Sequence, residues 1–322
     1  YPPSPAALQA IRDAAGDALR LYPDPDGTPL REAIAEHYGL SPAEVFVGNG
    51  SDEILAFSYL AFFDPSRPIV FPDITYSFYP VYAAHFGIPY RLVELEEDFT
   101  LSVDKVIRTA AEGGGILFPN PNAPTGIGLP LAEIRRILDR VDDQLVLVDE
   151  AYVDFGGETA AGLVRSYPNL LVVQTLSKSR SLAGLRVGFA LGCRELIRGL
   201  DRVKHSFNSY TLDRLALAGA VAAIRDDAYF TATRDRIVAT RERTIAALRA
   251  LGFVIPPSQA NFFMAGHPQL NARDVQQALR ERGILVRYFA KPRIDGYLRI
   301  TVGTDEEMDR LIACLEELLA QA

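Results

Sequence analysis

Lys178 stands in Thr175-Leu176-Ser177-Lys178-Ser179-Arg180, directly after the apolar run Leu170-Leu171-Val172-Val173. A second strand-like run, Arg186-Val187-Gly188-Phe189-Ala190, follows it. A lysine at a strand's end, between small hydroxyl residues, is either a solvated loop residue or an amine placed for carbonyl chemistry. Asp149 ends another apolar run, Leu145-Val146-Leu147-Val148, and leads into Glu150-Ala151-Tyr152. A carboxylate there faces the crevice in which open sheets bind ligands. It can hold Mg²⁺, pair with a buried cationic nitrogen or cap a turn. No G-x-x-x-x-G-K-[ST] motif supports the first of these.

Gly48-Asn49-Gly50-Ser51-Asp52-Glu53 lies between a strand pattern and a helix pattern. Free N–H groups at such a turn form a cup for an anion, and the bland alternative is an ordinary capped helix. Glu53 occupies the place of the third glycine of G-x-G-x-x-G, so a dinucleotide fingerprint fails. Pro119-Asn120-Pro121-Asn122-Ala123-Pro124-Thr125-Gly126 follows the strand pattern Ile116–Phe118. It is a rigid turn that can fix asparagine amides at a strand's carboxyl end.

The elements that position these residues alternate. Strand patterns at Val45–Val47, Ile69–Phe71, Tyr90–Glu94, Ile116–Phe118, Leu145–Val148 and Leu170–Val173 are interleaved with helical spacing at Ser51–Phe63, Phe78–Phe86, Val103–Ala111 and Leu131–Val141. Unbroken apolar strands separated by helices imply an α/β fold with a mostly parallel central sheet. Helical spacing also covers residues 5–20, with Ser4 as cap, and Leu30–Tyr38. From Leu212 the pattern changes to long helices over Leu212–Arg225 and Tyr229–Leu251. Strand patterns at Asn261–Met264, Ile284–Val286 and Tyr297–Val302 come next, and Asp305–Ala320 closes as an amphipathic helix. The expected division is an N-terminal segment 1–25 packing with the small domain, a large domain 26–215, and a smaller α+β domain 216–322.

The 322 residues are 48% hydrophobic and 23% charged, which implies a globular core. A net charge of -8 argues against nucleic acid as a partner. No apolar run approaches the ~20 residues of a membrane span. Cys193 and Cys314 make neither a zinc spacing nor a disulfide framework, as expected of a cytoplasmic chain without a metal. The four histidines have no metal spacing. The chain opens on Tyr1 rather than Met, so preceding residues are expected.

The ordered set P-N-A-P-T-G, V-D-E-A-Y, L-S-K and G-L-R-V-G resembles the fold-type-I, pyridoxal-phosphate-dependent aminotransferases, and within them the histidinol-phosphate aminotransferase subfamily. The resemblance runs from Y-P-D-P-D-G to L-R-I-T-V-G-T, nearly the whole chain. It implies pyridoxal 5'-phosphate (PLP) as cofactor, with Lys178 bonding covalently to its aldehyde and later shuttling the substrate proton. Asp149 pairs with the ring nitrogen, Tyr152 hydrogen-bonds the ring hydroxyl, and Tyr76 stacks on the ring. Thr175, Ser177, Arg186 and the amides of Gly50, Ser51 and Asp52 hold the phosphate. Tyr22 reaches that phosphate from the partner subunit of a homodimer.

Many relatives carry Asn immediately before P-T-G, where this chain has Ala123, so Asn122 is expected to supply that amide to the ring hydroxyl and the substrate side. Arg299 matches the family's carboxylate-binding arginine and Arg287 the one that grips a substrate phosphate. Asn208 and Tyr210 are further candidates for the same pocket, whereas Tyr79 and Tyr82 read as helix packing. The implied reaction is transamination of L-histidinol phosphate with 2-oxoglutarate in histidine biosynthesis. The alternatives are an aromatic or other amino-acid aminotransferase, a threonine-phosphate decarboxylase, and a non-catalytic PLP-binding module.

Overall fold

A computed structural model of the chain describes residues 1–111 and 113–321. In chain order the elements are α1 (Pro5–Ala14), α2 (Thr28–Tyr38), β1 (Val45–Asn49), α3 (Gly50–Phe62), β2 (Ile69–Pro72), α4 (Tyr79–Phe86) and β3 (Tyr90–Val93). There follow α5 (Val103–Ala110), β4 (Gly115–Pro119), α6 (Leu131–Leu138), β5 (Val146–Asp149), β6 (Leu170–Thr175), β7 (Val187–Gly192) and α7 (Arg194–Phe207). The last group is α8 (Arg214–Arg225), α9 (Asp227–Ala250), β8 (Phe262–Gly266), α10 (Ala272–Glu281), β9 (Arg287–Tyr288), β10 (Tyr297–Thr301) and α11 (Asp305–Ala320).

Strands β1 to β7 form one sheet in the order β1-β7-β6-β5-β4-β2-β3. Pairings from β3 through β6 are parallel, and β7 runs antiparallel to both β6 and β1. The mostly parallel large sheet expected from the sequence is therefore present. β4, β5 and β6 are buried at every residue, as unbroken apolar runs covered on both faces must be. One apolar layer includes Val146, Val148 and Val172, and the opposite layer includes Leu147, Leu171 and Val173. This period-two split fixes the register, so Asp149, the last residue of β5, arrives at the carboxyl edge.

A second sheet, β8-β10-β9, is antiparallel and shares a core with α9, α10 and α11. α1 packs on α8, whose buried residues Ala216, Ala220 and Ile224 belong to the core of the large sheet. The small-sheet core begins at Ile237 and Ile245, on α9. We therefore place the division between Ile224 and Ile237, rather than between residues 215 and 216.

Local chemistry explains most boundaries. Ser4, Ser102, Asp213, Asn271 and Thr304 each cap a helix through the side chain, as short polar side chains do where N–H groups lack partners. The helix expected over 5–20 stops at Ala14, two residues before Gly16, and only a 3₁₀ turn at Asp17–Arg20 follows. The strand expected at Ile284–Val286 does not form. Leu285 is 80% exposed, and pairing begins only at Arg287. α7 and α10 lie outside the elements read from the sequence. Both are strongly charged, with a narrow apolar stripe such as Ile197 and Leu200 or Val275 and Leu279. Among the described residues no helix is long and apolar enough to cross a membrane.

Candidate active site

The strand ends of β4, β5 and β6 and the start of α3 meet around one pocket. Ser51, Asp52, Tyr76, Asp149, Tyr152, Thr175, Ser177, Lys178 and Arg186 all line it, together with Pro119, Ala123, Ala151 and Ala183. Nine of the residues singled out from separate stretches of sequence thus share one wall-to-wall cavity.

The anion cup is built by two glycines. Gly50 has φ +75°, a left-handed conformation, and a Cβ there would stand 2.8 Å from Arg186 Nη2. On the neighbouring strand, a Cβ on Gly188 would meet the backbone of Gly50 and Ser51 at 2.5 Å. Only glycine at both places lets β7 seat the first turn of α3 under the Arg186 guanidinium. Glu53 reaches back to accept from the Asn49 N–H at 2.6 Å, fixing the turn. Arg186 itself has φ +54°, and this left-handed geometry in a non-glycine residue is strain held at the pocket mouth. Its Nη2 lies 3.2 Å from Asp52 Oδ2, and Tyr76 donates to Asp52 Oδ1 at 2.9 Å.

Asp149 is 5% exposed. Its Oδ2 accepts from the Tyr79 hydroxyl at 2.8 Å and its Oδ1 from the Ala151 N–H at 3.2 Å. Burial pushes its carboxyl up to about 6, against the lowering effect of those bonds. Its neighbour Glu150 points to the opposite side. There it accepts from Thr159 Oγ1 at 2.6 Å, the Ala160 N–H at 2.6 Å and Gln174 Nε2 at 2.9 Å. Glu150 thereby ties the loop carrying Tyr152 to the end of β6. Burial pushes its carboxyl up to about 7.

Lys178 follows β6 through a tight turn in which Thr175 Oγ1 accepts from the Ser177 N–H at 3.2 Å and Leu176 accepts from the Leu182 N–H at 3.1 Å. Ser179 donates to Asp154, and Arg180 is pinned by the Ala223 carbonyl at 2.9 Å and the Phe230 ring at 3.6 Å. Lys178 Nζ lies 5.5 Å from the Tyr152 ring centroid. Tyr152 packs edge-on against Phe262 at 4.9 Å, and the Arg299 guanidinium lies 5.0 Å from that same Phe262 ring. Arg299 thus sits one ring away from Tyr152, held by β10 beside the large-sheet pocket. Arg287 is its direct partner across β9–β10. Among the described residues Arg299 Nε is buried without a hydrogen-bond partner, and burial lowers the proton affinity of its guanidinium. A desolvated, incompletely paired guanidinium is suited to a two-oxygen anion.

Two sequence expectations differ from the structure. Asn122 does not turn toward the lysine. Its amide nitrogen donates to the Ile74 carbonyl and to Thr125 Oγ1, both at 3.0 Å, and it lines a separate cavity with Phe99, Ile127 and Leu129. One N–H group is spent on Thr125 in its own turn and the other on Ile74 beyond it, and Ala123 lines the Lys178 pocket instead. Asn208 and Tyr210 make their contacts with each other and with Tyr22. Tyr210 stacks on Tyr22 at 4.6 Å, and Asn208 accepts from the Tyr210 N–H. Tyr22 is 77% exposed and lies outside its own chain's pocket. Sequence reasoning missed Tyr79, whose signal was its spacing three residues after Tyr76 at a helix start.

Residues 1–315 match the model of the family described as aminotransferase class I and II. A histidinol-phosphate aminotransferase of Aromatoleum aromaticum is 57% identical over 320 residues, covering 99% of this chain and 90% of that one. Histidinol-phosphate aminotransferase 1 of Bordetella parapertussis is 58% identical with the same coverage. The crystal structure of the histidinol-phosphate aminotransferase from Sinorhizobium meliloti in complex with pyridoxal-5'-phosphate is 27% identical and superimposes with a TM-score of 0.91, covering 99% of this chain and 88% of that one. With that family match over almost its whole length, and the strand-end lysine and aspartate facing one pocket, the chain belongs to the class I and II aminotransferases.

Proposed function

We propose that the chain transfers the amino group of L-histidinol phosphate to 2-oxoglutarate in histidine biosynthesis, with PLP as cofactor. The observation that carries this reading is the meeting of Lys178, Asp149, Tyr152 and Arg186 in one pocket. The donor set fits PLP. A buried carboxylate suits a cationic ring nitrogen, a guanidinium over a helix start suits a phosphate, and a lysine amine lies between them. When bound, PLP supplies the aldehyde for covalent attachment and the ring that withdraws electrons from the substrate Cα.

In this reading Lys178 holds the aldehyde and, once displaced by the substrate amine, carries the Cα proton. Asp149 orients and charges the ring nitrogen. Tyr152 hydrogen-bonds the ring hydroxyl, a task that falls to it because Asn122 spends its N–H groups elsewhere. Tyr76 covers one ring face. Arg186, Thr175, Ser177 and the amides of Gly50, Ser51 and Asp52 bind the phosphate. Arg299 takes a carboxylate, that of the 2-oxo acid or glutamate. Arg287 takes the phosphate of the donor. The names of the relatives at 57% and 58% identity support the choice of donor.

The exposed apolar group Leu19, Leu21, Tyr22 and Phe207 supports a homodimer in which Tyr22 reaches the partner's cofactor phosphate. The free Cys193 and Cys314 are compatible with a cytoplasmic location.

Mixing the PLP-loaded enzyme separately with histidinol phosphate, phenylalanine and threonine phosphate tests the assignment. Fastest loss of the visible cofactor band with histidinol phosphate supports it. Fastest loss with either of the others contradicts it.

A further inference from the structure

Tyr79 is the first residue of α4 and is fully buried. Its ring sits edge-on to Phe71 at 5.9 Å and to Tyr76 at 5.6 Å. Its backbone is pinned as well, because the Tyr59 hydroxyl donates to the Tyr79 carbonyl at 3.0 Å. A core position with this packing would accept phenylalanine. The hydroxyl is therefore the part that needs a reason, and it donates to Asp149 Oδ2 at 2.8 Å.

We propose that Tyr79 is a positioning residue for the aminotransferase reaction: its hydroxyl holds the Asp149 carboxylate ionised and aimed at the cofactor's ring nitrogen, and so sets how tightly the cofactor is retained. The proposal rests on the reading that Asp149 faces that nitrogen. With Tyr79 on Oδ2 and the Ala151 N–H on Oδ1, each oxygen has one fixed donor and keeps lone-pair capacity for another. The carboxylate can neither rotate freely nor swing toward Lys178.

The phenol can only donate here. Burial first, and then the Asp149 charge, push its ionisation well above the ordinary value. The charged and titratable groups acting on Asp149 are Asp52 on α3, Tyr76 and Tyr82 beside it, Tyr79 on α4 and Lys178 beyond β6. Asp52 disfavours the carboxylate form, whereas Lys178 and the Tyr79 bond favour it. Loss of the Tyr79 bond leaves a buried carboxylate with one donor fewer, and it then takes up a proton closer to neutral pH. A protonated Asp149 has no charge to offer a cationic ring nitrogen.

The test is cofactor release from the dialysed PLP-loaded enzyme, followed from pH 8 to pH 6, in wild type, Tyr79→Phe, Asp149→Asn and the double variant, with circular dichroism as the check on folding. Tyr79→Phe is expected to retain PLP about tenfold less tightly, as for one lost bond to a charged group, with the deficit growing toward pH 6. In the Asp149→Asn background the same change is expected to add less than about twofold. If Tyr79→Phe does not accumulate as folded protein, Tyr79→Leu, which also lacks a donor, is read in the same way. Wild-type retention by Tyr79→Phe alongside release by Asp149→Asn overturns the proposal. So does an equal Tyr79→Phe deficit in both backgrounds, which would mark a packing role. Wild-type retention by Asp149→Asn itself instead overturns the reading of Asp149 beneath it.

Discussion

Arg287 and Arg299 face each other across the β9–β10 pair, two cations in direct register. Like charges so placed repel, and an anion bound beside them relieves that repulsion. The Phe289 ring touches both, at 5.5 Å from the Arg287 guanidinium and 5.8 Å from that of Arg299.

The two arginines should separate by half-reaction. Arg299→Ala is expected to lower kcat/KM for 2-oxoglutarate by about 10- to 100-fold, the loss of a charge-assisted pair. Arg287→Ala should weaken a phosphate-bearing donor by a similar factor and leave the 2-oxoglutarate half-reaction within about threefold. Stopped-flow measurement of each half-reaction checks both. Equal effects on both substrates would remove the division of labour.

Stability of the cofactor-free protein should fall as pH rises from about 4 to about 7. Asp149 titrates near 6 in the folded chain, against 3.8 when unperturbed, and Glu150 near 7 against 4.5. The native state therefore holds protons that the unfolded chain has released, and raising the pH removes them. The contribution of Asp149 is on the order of 3 kcal/mol. Asp149→Asn should flatten the slope, read as the difference in melting temperature between pH 5.5 and pH 7.5 for each protein.

Glu150→Gln should destabilise by about 1–3 kcal/mol despite its near-identical shape. All three partners of Glu150 are donors, and an amide must turn N–H groups toward at least one of them. Chemical denaturation above pH 7.5, where the carboxylate is charged, gives the comparison. A neutral result would mean that the loop carrying Tyr152 does not depend on this tie.

Tyr22 gives a test in trans. Tyr22→Ala should weaken cofactor retention by about tenfold, as for one bond to a phosphate. Mixed dimers of Tyr22→Ala with Lys178→Ala should regain one complete site, made from the lysine of the first chain and the tyrosine of the second. Activity of co-expressed, doubly tagged dimers above that of either parent supports the shared site. Activity no higher than the Tyr22→Ala parent contradicts it.

Much of this site was legible in the sequence because β5 and β6 are short and their apolar runs give way to Asp149 and to Gln174-Thr175, so the residues that follow had to emerge at one edge. The anion cup was legible for the same reason, at the junction of β1 and α3. Asn122 was not, since a hydrogen bond to a carbonyl 48 positions away, at Ile74, redirects its amide. Tyr79 was hidden because an aromatic residue on the buried face of a helix looks the same whether or not its hydroxyl has work to do. The place of α8 was hidden too: it has ordinary helical spacing, and its packing against α1 and α2 in the core of the large sheet shows only in the fold.

The most direct test of the account is where the cofactor is attached. The chain has four lysines, Lys105, Lys178, Lys204 and Lys291. Borohydride reduction of the PLP-loaded enzyme, followed by peptide mass mapping, should place one reduced cofactor per chain on the peptide containing Lys178, and Lys178→Ala should carry none. A label on any of the other three lysines, or an unlabelled Lys178 in active enzyme, would contradict the account.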